Sequence, residues 1–294
     1  MKMHMFPSQQ KQEVNMSYIV TLDIFSGREN PQWVVSDKQA QEIQSRSRDF
    51  AGQYKEAKPS NILGYRGIRV SPIGRQDEKS EPLMQVEGES DGSYYISGIR
   101  ELEDYLLSTG AESLDDAITS HVRDVLGKPE LRFPEMLKGS GCPTCQAADA
   151  PAYNPGYWNI PTRQPYNNCY NYANNQATNT FAQPGRATGK PITGLSCSGV
   201  QPSAQSDGLK PVPGFNAPLA AGKGWYVALV IWPGVDYHWY RQDNVGCWSH
   251  KPGQTAARDV DNSGNKITDP KTCDRGSYTD FCTYMITGKW VTIN

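Results

Sequence analysis

"GWYVALVIWPGVDYHWYRQDNVGCWSHKPG", residues 224–253, decides how the second half of this chain folds. Residues 225–232 form an unbroken apolar and aromatic run, the pattern of a strand covered on both faces. "DYHWYR" and "CWSHK" are two more strand-like segments, and "QDNVG" between them predicts a β-hairpin. Trp, Tyr and Val raise sheet propensity throughout. A three- or five-residue loop centred on Asn244 pairs His238 directly with His250 on one face, β-carbons about 5 Å apart. A four-residue loop would shift the pairing by one.

"YNNCYNYANNQATNTFAQPG", residues 166–185, sets Cys169 among asparagines and tyrosines. "PTRQPYNN" before it supplies a proline stop and an Asn cap at Asn168, so "CYNYANNQA" is expected to begin a short helix with Cys169 in its first turn. The partial positive charge of a helix start lowers a thiol pKa. A thiol attacks as its thiolate, an imidazole can take its proton and return it to a leaving group, and a third polar residue must orient that imidazole. His238 suits the base role and His250 the orienting role. Asp261, which follows the hairpin closely, is the alternative third member.

Cysteine early on a helix, then a sheet bearing histidine, then a polar residue on the next strand resembles the papain-like cysteine hydrolases. The twelve-residue interval from His238 to His250 looks like the NlpC-type endopeptidase branch. The resemblance spans residues 158–252 and implies a nucleophile helix packed on an antiparallel sheet, a peptide or protein substrate, and no cofactor or metal. Asn168-Cys169-Tyr170 stands where that branch usually has Asp-Cys-Ser, so its wall-peptide substrate is not carried over. Gln164, upstream as in papain-like enzymes, is the candidate oxyanion donor beside the Cys169 backbone N–H. Arg186 is a candidate carboxylate-binding residue, and Trp239 and Trp248 are candidate substrate contacts. The competing expectation is a non-enzymatic, disulfide-stabilised secreted binding or toxin-like module with an aromatic-lined groove.

All seven cysteines lie at or beyond position 142. An odd number leaves at least one thiol free or paired with another chain. With Cys169 free, the other six allow up to three bridges, which would imply an oxidising compartment. The polar start, "MKMHMFPSQQKQEVNMSYIV", lacks the apolar stretch of a signal peptide, favouring a cytoplasmic location, while the cysteines allow non-classical secretion. Cys142-x-x-Cys145 has no matching second pair, which makes it a weak zinc pattern. "DVDNSGNKITD" places Asp261, Ser263, Asn265, Ile267 and Asp269 at calcium-loop intervals, but its glycine is misplaced and Thr272 replaces the closing glutamate. A plain turn cluster is the other reading.

The first half carries ordinary α+β patterning. "SYIVTLDIF", "YRGIRVSP" and "SYYISG" read as strands, the first ending at the turn-rich "SGRENP". "SDKQAQEIQSRSRDF" reads as a helix capped by Ser36, followed by the amphipathic helices "IRELEDYLLST" and "SLDDAITSHVRDVLG", the latter over 113–127. His121 is expected to pack. The whole is therefore α+β, divided into a disordered tail (1–17), a small N-terminal α+β domain (18–137), a linker (138–157) and a papain-like domain (158–294). The 294 residues are 37% apolar with 27 Gly, 21 Pro and 16 Tyr, which predicts a loop-rich fold with modest cores. A net charge of −2 without a basic stripe argues against nucleic acid, and no apolar run reaches membrane-spanning length.

Overall fold

A computed structural model describes residues 17–49, 62–73, 93–127 and 141–294. The expected tail, apart from residue 17, and linker residues 138–140 lie outside the described residues. The fold is mixed α+β, built on two antiparallel sheets.

The first sheet comprises β1 (Ser17–Asp23), β2 (Gln32–Val35), β3 (Gly67–Ile73) and β4 (Tyr94–Ile96), in the order β2-β1-β3-β4. Tyr18, Val20 and Leu22 alternate inward along β1 and meet Ile68 and Val70 of β3. Three helices accompany this sheet: α1 (Asp37–Asp49), α2 (Arg100–Thr109) and α3 (Asp116–Leu126). Ser36 caps α1 through reciprocal bonds with Gln39: the Gln39 N–H donates to Ser36 Oγ, and the Ser36 N–H donates to Gln39 Oε1. α3 begins at Asp116 and not at Ser113; Asp115 caps it, its carboxylate accepting from the Ala117 N–H, and Ser113 and Leu114 belong to the preceding turn.

The second half begins with α4 (Pro155–Trp158), a 3-10 turn (Gln164–Tyr166), α5 (Cys169–Ala173) and α6 (Cys197–Ser206). Its sheet contains β5 (Lys210–Val212), β6 (Trp225–Trp232), β7 (Asp236–Gln242), β8 (Trp248–His250) and β9 (Asp280–Thr287), in the order β5-β9-β6-β7-β8. The apolar run 225–232 is the central strand β6, flanked by β7 and β9, which explains its lack of alternation. β9 crosses back along β6 with a bulge between Leu229 and Val230.

The hairpin register differs from the expected one. Tyr240 pairs with His250 and Gln242 with Trp248, so the loop Asp243–Cys247 is centred on Val245. A shift of two residues preserves parity. His238 and His250 therefore share a face as diagonal neighbours instead of a directly opposed pair.

The stretch read as a linker is partly structural. Cys142 is bonded to Cys247, Ala147 pairs in parallel with Leu219, and Asn154 caps α4. Gly246, at φ +88°, lets the hairpin loop approach so closely that a β-carbon there would overlap the Pro143 carbonyl. A second disulfide, Cys197–Cys282, ties α6 to β9. Cys145, Cys169 and Cys273 remain thiols. No helix among the described residues is long and apolar enough to cross a membrane.

Candidate functional site

Asn168 builds the start of α5. Its side-chain oxygen accepts from the Tyr170 and Asn171 N–H groups, and the Asn171 side-chain oxygen accepts from the Asn168 N–H. Cys169 thus occupies the first position of a fully capped helix, as the sequence led one to expect. Just upstream, the buried Lys251 ammonium donates to the carbonyls of Gln164 (2.6 Å), Asn167 (2.5 Å) and Gly253 (2.7 Å). Three donors meet three acceptors, which fixes the approach to the helix.

The other side of the site comes from the first sheet. The loop Ile24–Pro31, between β1 and β2, is shaped by Asn30, whose side-chain oxygen accepts from the Ile24 (3.0 Å) and Phe25 (2.8 Å) N–H groups. Arg66, fully buried, braces the same loop through Asp23 (2.5 Å) and the Phe25 carbonyl (2.7 Å). The loop places Ser26 against both functional side chains. Its hydroxyl lies 2.5 Å from His238 Nδ1 and faces the Cys169 sulfur. His238 Nε2 is 2.9 Å from His250 Nδ1, and His250 Nε2 is 3.2 Å from the Val260 carbonyl.

That carbonyl dictates the protons along the whole row. An acceptor at Val260 requires N–H at His250 Nε2, which leaves His250 Nδ1 as an acceptor. His238 then carries its proton on Nε2 and accepts at Nδ1 from the Ser26 hydroxyl. Ser26, His238 and His250 are each satisfied in their neutral forms, the condition under which buried polar groups can stand side by side.

Burial reinforces neutrality. Cys169, His238 and His250 are all fully buried. Burial first, and then the Asp236 carboxylate, push the Cys169 thiol up to about 12, against the opposing pull of Ser26, the Trp239 N–H and Lys251. The expected lowering at a helix start is overturned by desolvation. Burial likewise holds His250 down to about 3 and His238 well below the ordinary imidazole range. Asp236 is buried at the edge of this row and accepts from the Ser26 N–H (2.5 Å), the Gly27 N–H (3.2 Å) and the Tyr278 hydroxyl (2.6 Å). Burial pushes its carboxyl up, and those donors pull against it.

The structure thus joins Cys169, His238 and His250, but through Ser26, a residue the sequence reading did not select. Asp261 is not the histidine partner. Its carboxylate accepts from the N–H groups of Ser263, Asn265 and Asp274 and closes the turn. The calcium-like spacing is an Asp-centred turn, and no group of three or more His, Cys, Asp or Glu among the described residues is placed to hold a metal ion. Gln164 contributes its backbone carbonyl to Lys251. Arg186, exposed, donates to the carbonyls of Thr180 (2.6 Å) and Asn294 (2.7 Å).

Trp239 and Trp248 correct the expectation of an aromatic-lined groove at the hairpin. Both are fully buried: Trp239 packs on Tyr170, and Trp248 on Phe215. Their indole N–H groups have no hydrogen-bond partner among the described residues. They fill the core because β7 and β8 are covered on both faces. A different cleft, of about 570 Å³, opens beside the Ser26 loop between Glu29, Asn30 and Gln32 on one side and Tyr166, Asn179 and Phe181 on the other. His121 packs its ring 4.5 Å from Trp232, linking α3 to the second sheet.

No family model and no solved structure matches the chain. Among curated proteins it is similar to insoluble matrix shell protein 1 of Ruditapes philippinarum, with 49% identity over 142 residues. The match covers 93% of that protein and 48% of the present chain. Identity at this level over nearly all of the relative shows common descent: the chain belongs to the family of insoluble matrix shell protein 1.

Proposed function

We propose that this chain is a non-enzymatic, disulfide-braced extracellular module that serves in an insoluble matrix of the shell type. The observation that carries this reading is the 49% identity to insoluble matrix shell protein 1. Two disulfides support it, since such bridges persist in oxidising compartments. The burial of Cys169, His238 and His250 in a neutral row supports a structural role for them. The test is fractionation of the tissue that makes the protein. The chain should stay with the insoluble residue after demineralisation and detergent extraction, with four of its seven cysteines oxidised. Recovery from the cytosol with seven free thiols would overturn the reading.

A second reading has one specific observation in its favour. Cys169 at the first position of a capped helix, aligned through Ser26 with His238 and His250, is the order of groups that a papain-like thiol hydrolase uses. In that reading the C-terminal half is a papain-like domain that cleaves a peptide or amide bond, and Ser26 must withdraw so that His238 meets the sulfur. Cys169→Ala decides the matter for any candidate peptide substrate. Hydrolysis present in the wild type and lost in a normally melting variant supports the enzyme; hydrolysis that persists in the variant removes Cys169 from it.

A further inference from the structure

We propose that the second half of the chain contains a binding site for a Ser-Gly peptide turn, and that residues 25–28 are its occupant in cis. This names a ligand for the binding-module reading and does not depend on whether Cys169 reacts. The contacts are those of a bound peptide. The Asp236 carboxylate takes two successive backbone N–H groups, of Ser26 and Gly27. Three groups surround the Gly27 carbonyl: Asn168 Nδ2 (3.0 Å) and Gln183 Nε2 (2.9 Å) donate to it, and the Tyr237 hydroxyl lies 2.8 Å from both it and Gln183 Oε1. These polar contacts therefore address main-chain atoms, which any peptide would offer.

Side-chain selectivity comes from two positions. The Ser26 hydroxyl fits between Cys169 and His238 and satisfies His238 Nδ1. At Gly27 a β-carbon would overlap the Tyr237 ring, so the site admits only glycine there. The next residue, Arg28, donates to the Val235 carbonyl at 2.9 Å. Beyond it, Glu29 and Asn30 border the open cleft, which gives a longer ligand an exit to solvent.

The receiving groups belong to the second half and are fixed there without the loop. Asn168 caps α5, Tyr237 lies on β7, and Asp236 is held by Tyr278. The incoming loop is shaped independently, by Asn30 and Arg66 in the first half. Site and occupant are thus each organised within their own half, so a Ser-Gly turn on another molecule presents the same surface. In the resting chain the cis loop outcompetes it, because a tethered ligand acts at an effective concentration near the millimolar range.

The experiment uses the full chain carrying Gly27→Val, which cannot reseat its own loop. The probe is a capped synthetic peptide of residues 24–30, Ile-Phe-Ser-Gly-Arg-Glu-Asn. In the folded variant, alkylation of Cys169 by iodoacetamide should rise about ten-fold or more over wild type, since opening exposes a sulfur otherwise sealed. The peptide should bind and restore protection, whereas a peptide with valine in place of its glycine should bind at least about ten-fold more weakly, a difference of about 1.4 kcal/mol. If Gly27→Val does not melt cooperatively, Gly27→Ala replaces it. Its single β-carbon meets the Tyr237 ring with the least added bulk. A folded variant of either kind that fails to bind the glycine peptide, or binds both peptides equally, overturns the proposal. Either failure leaves the matrix assignment untouched, because that rests on fractionation.

Discussion

In the first sheet the interior is almost wholly apolar: Val20, Leu22, Ile68, Val70 and Ile96 carry it, with Leu102 and Leu106 of α2 above. The buried ion pair Arg66–Asp23 and the buried Glu103, which accepts from the Tyr65 hydroxyl, are exceptions. The second sheet is built differently. Its interior holds His238, His250, Arg241, Gln242, Asp236 and Lys251, each fully buried and each matched to named partners. The first half gains specificity from shape and hydrophobic burial, and the second from polar pairing closed by two disulfides. Pairing is the more brittle device, because one missing partner strands a buried polar group.

The largest break in this contrast should come from the disulfides. Each closes a long loop, with sequence separations of 105 and 85 residues, and removing one such bridge typically costs about 2–5 kcal/mol. Replacing Cys142 and Cys247 by serine should therefore lower the Tm measured by the tryptophans of the second half. Far-ultraviolet and amide-exchange signals from β1 and β3 should change much less. Equal loss of protection in both sheets would show that the halves fold as one cooperative unit.

Arg66 sharpens the comparison from the other side. It serves the apolar half but also braces the Ser26 loop. Arg66→Met leaves Asp23 buried without its guanidinium and the Phe25 carbonyl without a donor, at a cost of about 3–5 kcal/mol. Replacing Asp23 by leucine in the same chain should recover part of that loss in a denaturant titration. No recovery would mean that the carbonyl contacts matter more than the pair itself.

How far the sequence foretold this arrangement depends on the range of each contact. The apolar run 225–232 announced a central strand, and alternation along 17–23 announced β1, because burial leaves a direct trace in residue type. Parity placed His238 and His250 on one face even though the register moved by two, since the facing rule has a period of two residues. The short strand Gln32–Val35 and the mixed pattern of β9 carried weaker traces and were not read. Ser26 was invisible for a different reason. It reaches Cys169 from 143 positions upstream, and within its own neighbourhood "SGRENP" is an ordinary turn. The signal that existed was indirect: Asp236, a carboxylate at the start of an aromatic strand, needed N–H donors, and two of them come from Ser26 and Gly27. Trp239 and Trp248 misled because tryptophan at a groove and tryptophan in a core are the same letter, and only coverage of the outer face tells them apart.

Acid separates the two halves more gently. His238 and His250 are neutral in the folded chain, with pKa values depressed by burial, whereas the unfolded chain protonates them near 6.5. Below that value the unfolded state binds more protons, so stability falls as pH drops from about 6.5 toward about 3 and is fully present above it. The slope is at most about 1.4 kcal/mol per pH unit for each histidine. Raised carboxyl pKa values, such as that of Asp236, act in the opposite sense, and burial also lowers Lys251 to about 7, so the imidazole share is read from the difference between the variant and the wild type and not from the total slope. His250→Gln should flatten the dependence of Tm on pH below about 6.5. An unchanged slope would place the acid sensitivity elsewhere.

The smallest effect should come from Arg46, which pairs with Glu42 one turn earlier on α1 at 2.8 Å. Both side chains are more than a third exposed, with 42% and 46% of their surface in water. Solvent screens such a pair, and the two long side chains lose rotamer freedom to hold it, so its worth is within about 0.5 kcal/mol. The Arg46 guanidinium also lies 4.4 Å from the Tyr105 ring, which ties α1 to α2 by a contact that salt screens less. Arg46→Lys keeps the charge but loses the flat stacking surface, and Glu42→Gln loses the ion pair but keeps the stack. If the pair matters, Glu42→Gln should be the more destabilising change and its effect should fade in 1 M salt. If the stack matters, Arg46→Lys should cost more and salt should leave the difference in place. The geometry favours the second outcome, because the ring contact bridges two helices whereas the ion pair joins two turns of one.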